Sequence, residues 1–347
     1  MINDAASPSE KFSKDAQPFF SVIILFWKGS QYIQKCLNAL DRQTFRDFEI
    51  ILIDNASPEP LPQDLLTSCP DLNIRFFKQN TNLGFAAGNN YGSSLATGQF
   101  LALLNSDAFP KPDWLKNVNA AVQTYPDCSF ASRLIMAEQP DLLDGEGDVY
   151  HVSGLVWHRS YMAPLAQTAS PEGEVFSACG AAAIYPKQAF DLVGGFDPDY
   201  FAYTEDIDLG FRLRLAGYRC IYLPSAEVFH VGSGSSGPRS REATYYHQRN
   251  MVWTFFKNMP SPLFALLVLF HLAVNLLLAI NSLAKNLETV YLKAKVDAFK
   301  DIDKVWRKRK VVQRHRKVNN LVLLAAMDLN PFSPFLQDRR KVHGRRQ

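Results

Sequence analysis

The feature that most constrains this chain is a series of short apolar runs that each stop at a polar side chain. Three such runs are Phe19–Phe26, Phe48–Ile53 and Phe100–Leu104. Helical patterns occupy Gln31–Leu40 and Ala86–Ala96 between them. Short continuous apolar runs that alternate with helices are typical of buried parallel strands. The alternation predicts a doubly wound α/β sheet.

Ligands of doubly wound sheets bind outside the carboxyl ends of the strands. The residues that follow the three apolar runs are therefore the first site candidates. They are 26–28, 54–57 and 105–107.

The other elements are less sharply marked. A further strand is predicted at Asn73–Phe77 and an amphipathic helix at Asp206–Ala216. Within and after a stretch rich in Gly, Asp and Pro, strands are predicted at Val149–Leu155 and Cys220–Leu223.

Composition bounds the class of protein. A chain of 347 residues with 47% hydrophobic residues can form one domain of about 250 residues and an appendage of about 100. The five cysteines form no CxxC pair, which favours a reducing compartment over a disulfide framework. The first 17 residues are polar and are expected to be a disordered tail without a cleavable signal.

The carboxyl-terminal part has a different character. Pro262–Ile280 is apolar and uncharged, and it fits a membrane span, a helix lying in one leaflet or a buried core helix. Ser282–Val318 is predicted to be one helix dense in Lys and Arg, and a basic tail follows it. Basic segments favour anionic surfaces and the cytoplasmic side of a membrane. Nucleic-acid binding is not expected, because the basic tail lacks aromatic interleaving and a recognised motif.

Polar motifs follow the second strand and the helix after it. Asp54 begins the sequence DNAS, whose carboxylate can bind a ribose or a pyrimidine base. The same residues also make good turn or helix caps. Glycines at 84, 88 and 92 permit close backbone approach to a ligand.

Asn105, Ser106 and Asp107 end the strand at Phe100–Leu104. One or two oxygen ligands beside a diphosphate are typical of Mg²⁺ sites. An isolated Asn-Ser-Asp also fits a turn.

Three carboxylates, Glu205, Asp206 and Asp208, open the predicted helix. Acids are favoured there by the helix dipole, and one of them can also deprotonate an acceptor hydroxyl. Adjacent helix positions diverge by about 100°, so Asp208 turns away from Asp206. His230 follows a strand-like segment, and a neutral imidazole is a common metal ligand.

Taken in order, these motifs resemble the family 2 glycosyltransferases of the GT-A fold, and most closely their rhamnosyltransferase-like branch. The resemblance covers residues 19 to 260. The motifs are SVIIL at 21–25, DNAS at 54–57, NLGFAAGNN at 82–90, LLNSD at 103–107, GGFD at 194–197, TEDIDLGFRLRLAGY at 204–218, FHVGSGSS at 229–236 and YHQRNMVWTFFKN at 246–258.

The resemblance implies a GT-A Rossmann-like doubly wound mixed sheet and a role for each motif. On the donor side, a set of residues would bind the nucleotide-sugar: Trp27, Asp54, Asn55, Asn82, Gly84, Asn89, Asn105, Ser106 and Arg249. Two departures stand out: the family's Asp-x-Asp is Asn-Ser-Asp here, and Phe-Trp-Lys replaces Thr-Tyr-Asn at residues 26–28.

The resemblance also implies the catalytic groups. Asp107 would bind Mg²⁺ or Mn²⁺ with His230 as a further ligand. Asp206 would be the general base, helped by Glu205. Acceptor-binding residues would be Cys179 and Gly180.

The expected division is a tail at 1–17, a catalytic domain at 18–256 and a helical membrane-associating region at 257–347. The donor half would end at about residue 107, where the acceptor half begins. We expect an inverting transferase at the cytoplasmic face of the cell membrane. It would move a deoxyhexose such as rhamnose from a dTDP- or UDP-sugar to a lipid-linked or polysaccharide acceptor. The sequence leaves a homodimer open as its assembly. Two alternatives are a nucleotidyltransferase of similar fold and a non-catalytic glycan-binding protein.

Overall fold

A computed structural model of the chain describes residues 17–232, 240–283 and 288–334. The amino-terminal tail to residue 16, residues 233–236 of the FHVGSGSS motif and the basic tail from residue 335 lie outside these ranges. In chain order the strands are β1 (Phe20–Phe26), β2 (Phe48–Asp54), β3 (Ile74–Lys78), β4 (Phe100–Asn105), β5 (Ala108–Pro110), β6 (Ser129–Met136), β7 (Leu143–Gly145), β8 (Asp148–Tyr150), β9 (Val156–His158), β10 (Gly173–Val175), β11 (Ala182–Pro186) and β12 (Cys220–His230).

The helices alternate with the strands at first and then follow one another without strands between them. They are α1 (Ser30–Asp41), α2 (Gly84–Leu95), α3 (Trp114–Thr124), α4 (Lys187–Leu192), α5 (Glu205–Leu215), α6 (Arg241–Asn258), α7 (Ser261–Leu283), α8 (Glu288–Lys300), α9 (Ile302–Arg314) and α10 (Asn320–Ala325).

The central sheet is mixed, as the resemblance implies. Its order is β10-β12-β6-β11-β4-β1-β2-β3, with β5 paired to β12 and β7 paired to β6. The strands β4, β1, β2 and β3 are parallel, whereas β11 runs antiparallel to both β4 and β6. β8 and β9 form a separate hairpin.

The register brings the predicted polar strand ends to one edge. Phe26 pairs with Asp54, and Leu25 pairs with Asn105. The helix α2 crosses behind this edge at close range. An added Cβ at Gly88 would lie 2.7 Å from Leu25, and one at Gly92 would lie 2.5 Å from Ile23. These two glycines therefore allow α2 to pack on β1.

Two of the predicted elements are wrong. The strand expected at Val149–Leu155 ends at Tyr150, and the chain then turns into β9. The single helix expected over Ser282–Val318 is interrupted at Asp301, which lies between the end of α8 and the start of α9. Aspartate is a poor residue for a helix interior and a good one for a helix start.

The carboxyl-terminal helices share a core with the catalytic part. Ile207 and Phe211 of α5 pack in one cluster with Phe255 of α6, Leu263 of α7 and Leu323 of α10. Helix α6 runs across residue 256, where the sequence analysis placed a boundary. The division into domains remains a prediction.

Part of the basic segment is used inside the protein. Lys304 binds Asp199 at 2.6 Å, and Lys308 pairs with both Asp197 and Asp199. Arg309 is buried and donates to the carbonyl of Phe256 at 2.8 Å. These three cations fasten α9 to the loop before α5 and to α6.

Candidate active site

The loop after β2 is held by local hydrogen bonds. One carboxylate oxygen of Asp54 accepts the backbone N–H of Ser57 at 2.8 Å. The Ser57 hydroxyl in turn accepts the N–H of Lys28 at 3.0 Å. The other Asp54 oxygen lies 3.8 Å from the exposed ammonium of Lys78. Asp54 is thus both the turn cap that its sequence allows and a carboxylate at the strand edge.

Asn55 and Asn82 fasten this loop to the start of α2. The Asn55 amide donates to the Asn82 oxygen at 2.9 Å, and the Asn55 oxygen accepts the N–H of Leu83 at 2.9 Å. Gly84 has φ +75°, and an added Cβ there would lie 2.5 Å from the ring of Phe201. Asn55, Asn82 and Gly84, three of the predicted donor residues, therefore come together through hydrogen bonds.

Trp27 and Asn89, two further predicted donor residues, each contact a residue of their own segment. The Trp27 ring carries the Lys28 ammonium at 4.4 Å from its centroid. The Asn89 amide donates to the carbonyl of Phe85 within α2 at 2.9 Å.

Asp107 and His230 approach each other at the end of β4. The Nε2 atom of His230 lies 3.5 Å from Asp107 Oδ1 and 3.3 Å from the Asn105 amide nitrogen. Its Nδ1 atom lies 2.7 Å from Asp144 Oδ2. Ser106 forms the turn between Asn105 and Asp107. The pairing of β12 with β5 brings His230 opposite Ala108.

The charge of His230 depends on what occupies this site. Burial lowers its pKa, but the hydrogen bonds and charges of Asp107 and Asp144 outweigh burial and raise it to about 10. Without a metal the imidazole is a cation between two carboxylates. Metal binding would replace the Nε2 proton, while Asp144 would orient the ring through Nδ1.

The donor set at Asp107 fits a divalent ion that also binds a diphosphate. Among the described residues no group of three or more His, Cys, Asp or Glu could hold a metal alone. Mg²⁺ commonly uses one or two carboxylates and takes its other ligands from phosphates and water. The carboxylate of Asp107 matches that pattern, and the imidazole of His230 would be an additional nitrogen ligand.

Asp206 lies at the amino end of α5 and is tied to the metal candidates through the backbone. One Asp206 oxygen accepts the N–H of Gly180 at 2.9 Å. The next residue, Ala181, accepts the N–H of Asn105 at 2.9 Å through its carbonyl. Cys179 precedes this link and is half-buried. The predicted acceptor segment therefore lies between the predicted base and the end of β4.

The surroundings of Asp206 suit a general base. Burial, and then the negative charge of Asp148, raise the pKa of Asp206 to about 6. The N–H groups of Gly180 and Ile207 and the charge of His158 act in the opposite direction. A carboxylate with this pKa is ionised at neutral pH and is a stronger base than an ordinary aspartate.

The two neighbouring acids differ from Asp206. Glu205 is buried, and its Oε2 has no hydrogen-bond partner among the described residues. Burial, and then the negative charge of Asp206, raise its pKa well above the usual range and favour its protonated form. Asp208 points away, as the helix geometry predicted, and it binds Arg212 at 2.8 Å and Lys257 at 2.8 Å.

Two acceptor-side groups were missed by the sequence analysis. Asp148 and His158 face each other across the β8–β9 hairpin, and Asp148 Oδ1 lies 2.6 Å from His158 Nδ1. Burial lowers the pKa of His158, but Asp148 and then Asp144 and Asp206 raise it to about 9. Only a correct prediction of both hairpin strands would have paired these residues.

Arg249 contacts the turn before α5 and an aromatic ring of its own helix, α6. Its guanidinium donates to the carbonyls of Asp199 at 2.9 Å and Tyr200 at 3.1 Å. It also lies 4.1 Å from the ring centroid of Trp253. These contacts hold the turn before α5 against α6.

Residues 21–194 match the sequence pattern of the family described as Glycosyl transferase family 2. The chain is a family 2 glycosyltransferase. It is 30% identical over 257 residues to the N-acetylglucosaminyl-diphospho-decaprenol L-rhamnosyltransferase of Mycobacterium tuberculosis, and the match covers 65% of this chain and 80% of that relative. This family membership sets aside the nucleotidyltransferase and the non-catalytic glycan-binding protein.

Solved structures support the fold of this glycosyltransferase. GalNAc-T7 with UDP, GalNAc and Mn²⁺ superposes with a TM-score of 0.56 at 17% identity, over 70% of this chain and about half (48%) of that chain. The Pyrobaculum calidifontis mannosyltransferase with GDP-Man and Mn²⁺ superposes with a TM-score of 0.52 at 16% identity, over 94% of this chain and 81% of that chain. At these identities the likeness establishes the GT-A type of fold and leaves substrates open.

Proposed function

We propose that this glycosyltransferase inverts the anomeric centre of a deoxyhexose, such as rhamnose, taken from a dTDP- or UDP-sugar. The acceptor is a lipid-linked or polysaccharide glycan. The name of the Mycobacterium relative, which pairs rhamnose with a diphospho-decaprenol acceptor, supports this choice.

One observation carries the mechanism. The hydrogen-bonded path from Asp206 through Gly180 and Ala181 to Asn105 joins the base to the strand end that bears Asp107. A single displacement at the anomeric carbon needs a base on the acceptor side and a charge acceptor on the leaving-group side. Asp206 and Asp107 lie at the two ends of this path, and this arrangement supports the proposal.

Each residue then has a stated task. Asp206 takes the proton of the acceptor hydroxyl as its oxygen attacks, and the nucleoside diphosphate leaves. Asp54 binds the ribose or base within the frame made by Asn55 and Asn82. Asp107 and His230 would hold Mg²⁺ or Mn²⁺, which neutralises charge on the leaving diphosphate.

The proposed location is the cytoplasmic face of the cell membrane. Within the described residues, one helix, Ser261–Ser282, is long and apolar enough to span a membrane, with 17% of its apolar window buried. A lipid-linked acceptor would be held in the membrane, so the enzyme would have to work at the membrane surface. A homodimer is also part of the proposal.

A donor panel tests the proposal. The full chain is incubated with a short-chain N-acetylglucosaminyl-diphospho-prenol and dTDP-rhamnose, UDP-GlcNAc or GDP-mannose, each with Mg²⁺, Mn²⁺ or EDTA. We expect product from dTDP-rhamnose that EDTA abolishes, with an anomeric configuration opposite to the donor's by NMR. Retention of configuration, or turnover that ignores both metal and nucleotide, would contradict the mechanism.

A further inference from the structure

Helix α7 has two opposite faces along its whole length. The buried residues Leu263, His271, Asn275 and Ser282 fall within about 120° of one another at 100° per residue. The opposite face carries large exposed apolar side chains. They are Leu266, Leu269, Leu276, Leu277 and Ile280.

The inward face is docked by specific contacts. His271 Nδ1 lies 2.7 Å from the carbonyl of Ser153, and its ring stacks on Phe255 at 4.0 Å. Gly154 leaves room for this ring, since an added Cβ would lie 2.5 Å from His271 Nδ1. The Asn275 amide lies 3.2 Å from His271 Nε2. The two polar residues that interrupt the apolar run therefore face the protein.

This docking decides how α7 can meet a membrane. Contacts from residue 263 to residue 271 hold about 12 Å of helix against Phe255, Ser153 and Gly154. A spanning helix would have lipid or other spanning segments around it and would lose these contacts. A helix with one docked face and one apolar face is suited to lie in the interface plane.

Helices α8 and α9 carry exposed aromatic side chains next to half-buried rings of α6 and α7. The Phe264 ring lies 5.5 Å from Trp306, and the Phe256 ring lies 5.8 Å from Phe299. Trp306 and Phe299 are both exposed. On α9 the exposed cations Arg307, Lys310 and Arg314 share a face with Trp306 and Val311. Apolar, aromatic and basic side chains together match an anionic lipid surface.

The turn of the β8–β9 hairpin connects this surface with the base. Ser153 and Gly154 contact His271 of α7. The neighbouring Val152 donates its N–H to the carbonyl of Asp328 at 3.1 Å. The two strands of the same hairpin carry Asp148 and His158, whose charges act on Asp206. The acceptor side of the site is therefore built on the element that α7 supports.

We infer that the outward face of α7, with Trp306, Phe299 and the basic face of α9, binds an anionic phospholipid bilayer in the interface plane. The bound bilayer holds the β8–β9 hairpin in place, so that an acceptor headgroup reaches Asp206 from the membrane surface. The acceptor clause rests on the proposed function, whereas lipid binding and hairpin ordering do not.

Vesicle flotation tests the surface. The full chain is floated with vesicles of phosphatidylglycerol and phosphatidylethanolamine. The affinity of the double variant Leu269→Asp, Leu276→Asp for the vesicles should fall at least about tenfold, because two leucine side chains are lost from the interface. The matched control Leu192→Asp changes an exposed leucine on α4 and should float like the wild type. Equal flotation of the double variant would overturn the inference.

Two other outcomes would also overturn it. If the wild type does not float and sediments as a dimer that the double variant dissociates, a second copy covers the face. If alkaline carbonate fails to release the protein from bacterial membranes, α7 spans them.

Hydrogen exchange tests the coupling to the hairpin. Vesicles should slow amide exchange in residues 148–158 several-fold, as well as in α7. Gly154→Ala places a methyl group against His271 and should keep flotation while losing the slowing in the hairpin. His271→Gln provides the same test if Gly154→Ala does not fold. Unchanged hairpin exchange in the vesicle-bound wild type would refute the coupling, and neither readout depends on glycosyl transfer.

Discussion

The predicted donor and acceptor halves of the candidate site differ in the groups that build them. In the donor half, uncharged amides and hydroxyls at neighbouring strand ends bind one another, as Asn55 binds Asn82 and Ser57 binds the backbone of Lys28. In the predicted acceptor half, buried carboxylates lie beside imidazoles and raise their pKa values, as in the pairs Asp144–His230 and Asp148–His158. Hydrogen bonds between neutral groups fix the shape of the first half. In the second half, the carboxylates change the pKa values of the neighbouring imidazoles.

The comparison is tested most directly at the base. Asp206→Asn should lower kcat by about 10²–10⁴-fold, because the acceptor hydroxyl loses its proton acceptor. Affinity for UDP or dTDP, measured by calorimetry, should change less than twofold. The matched control is Asp191→Asn, which alters an exposed carboxylate on α4 paired with Lys187. Transfer that survives Asp206→Asn would remove the catalytic assignment.

Stability separates Asp206 from its neighbour Asp208. Asp208→Asn removes a buried partner of Arg212 and Lys257 and should lower the free energy of unfolding by about 3–5 kcal/mol. Burial raises the pKa of Asp206, so its ionised form disfavours the folded state above about pH 6. Asp206→Asn should therefore cause no loss of stability at pH 7. Urea unfolding of both variants measures the contrast, and equal losses would mean that both acids are structural.

The donor frame should respond differently from the acceptor half. Asn55→Ala removes the hydrogen bonds to Asn82 and to the N–H of Leu83. We expect KM for the nucleotide-sugar to rise about five- to tenfold, which corresponds to one or two hydrogen bonds. The pH at which kcat/KM is half-maximal should not move, because no charge is lost. A shifted pH profile would show that the two halves are electrostatically joined.

Sequence patterns locate the strand ends of the predicted donor half, because polar side chains there follow apolar runs. Asp54, Asn105 and Asp107 needed only apolar runs and the rule that ligands bind at strand ends. The family resemblance then predicted Asp206 and His230, which lie close to Gly180 and Asp107 in the structure.

The acceptor half depends on contacts that no local pattern encodes. Asp144 and His230 are 86 residues apart, and the hairpin that pairs Asp148 with His158 has strands of three residues each. Strands this short carry almost no periodicity. The same reason explains the misplaced strand at Val149–Leu155. The docked face of α7 could not be predicted from periodicity, because His271 and Asn275 are the only polar residues in Pro262–Ile280.

The smallest expected effect concerns the protonation of the base. The positive charge of His158 lowers the pKa of Asp206, whereas burial and Asp148 raise it to about 6. His158→Gln removes the cation and leaves the charge of Asp148, so the pKa of Asp206 should rise further. Because Asp206 must be ionised to act, activity falls as pH drops through this pKa, and the acid limb of kcat/KM should move above pH 6 by a fraction of a unit.

A pH profile of wild type and His158→Gln between pH 5 and pH 8 measures this shift. His315→Gln, which changes an exposed imidazole after α9, should leave the limb in place. A general loss of packing would lower kcat/KM at every pH without moving the limb. A limb that moves down would show that His158 raises rather than lowers the pKa of Asp206, and the charged acceptor half would then work by a different balance from the one in the structure.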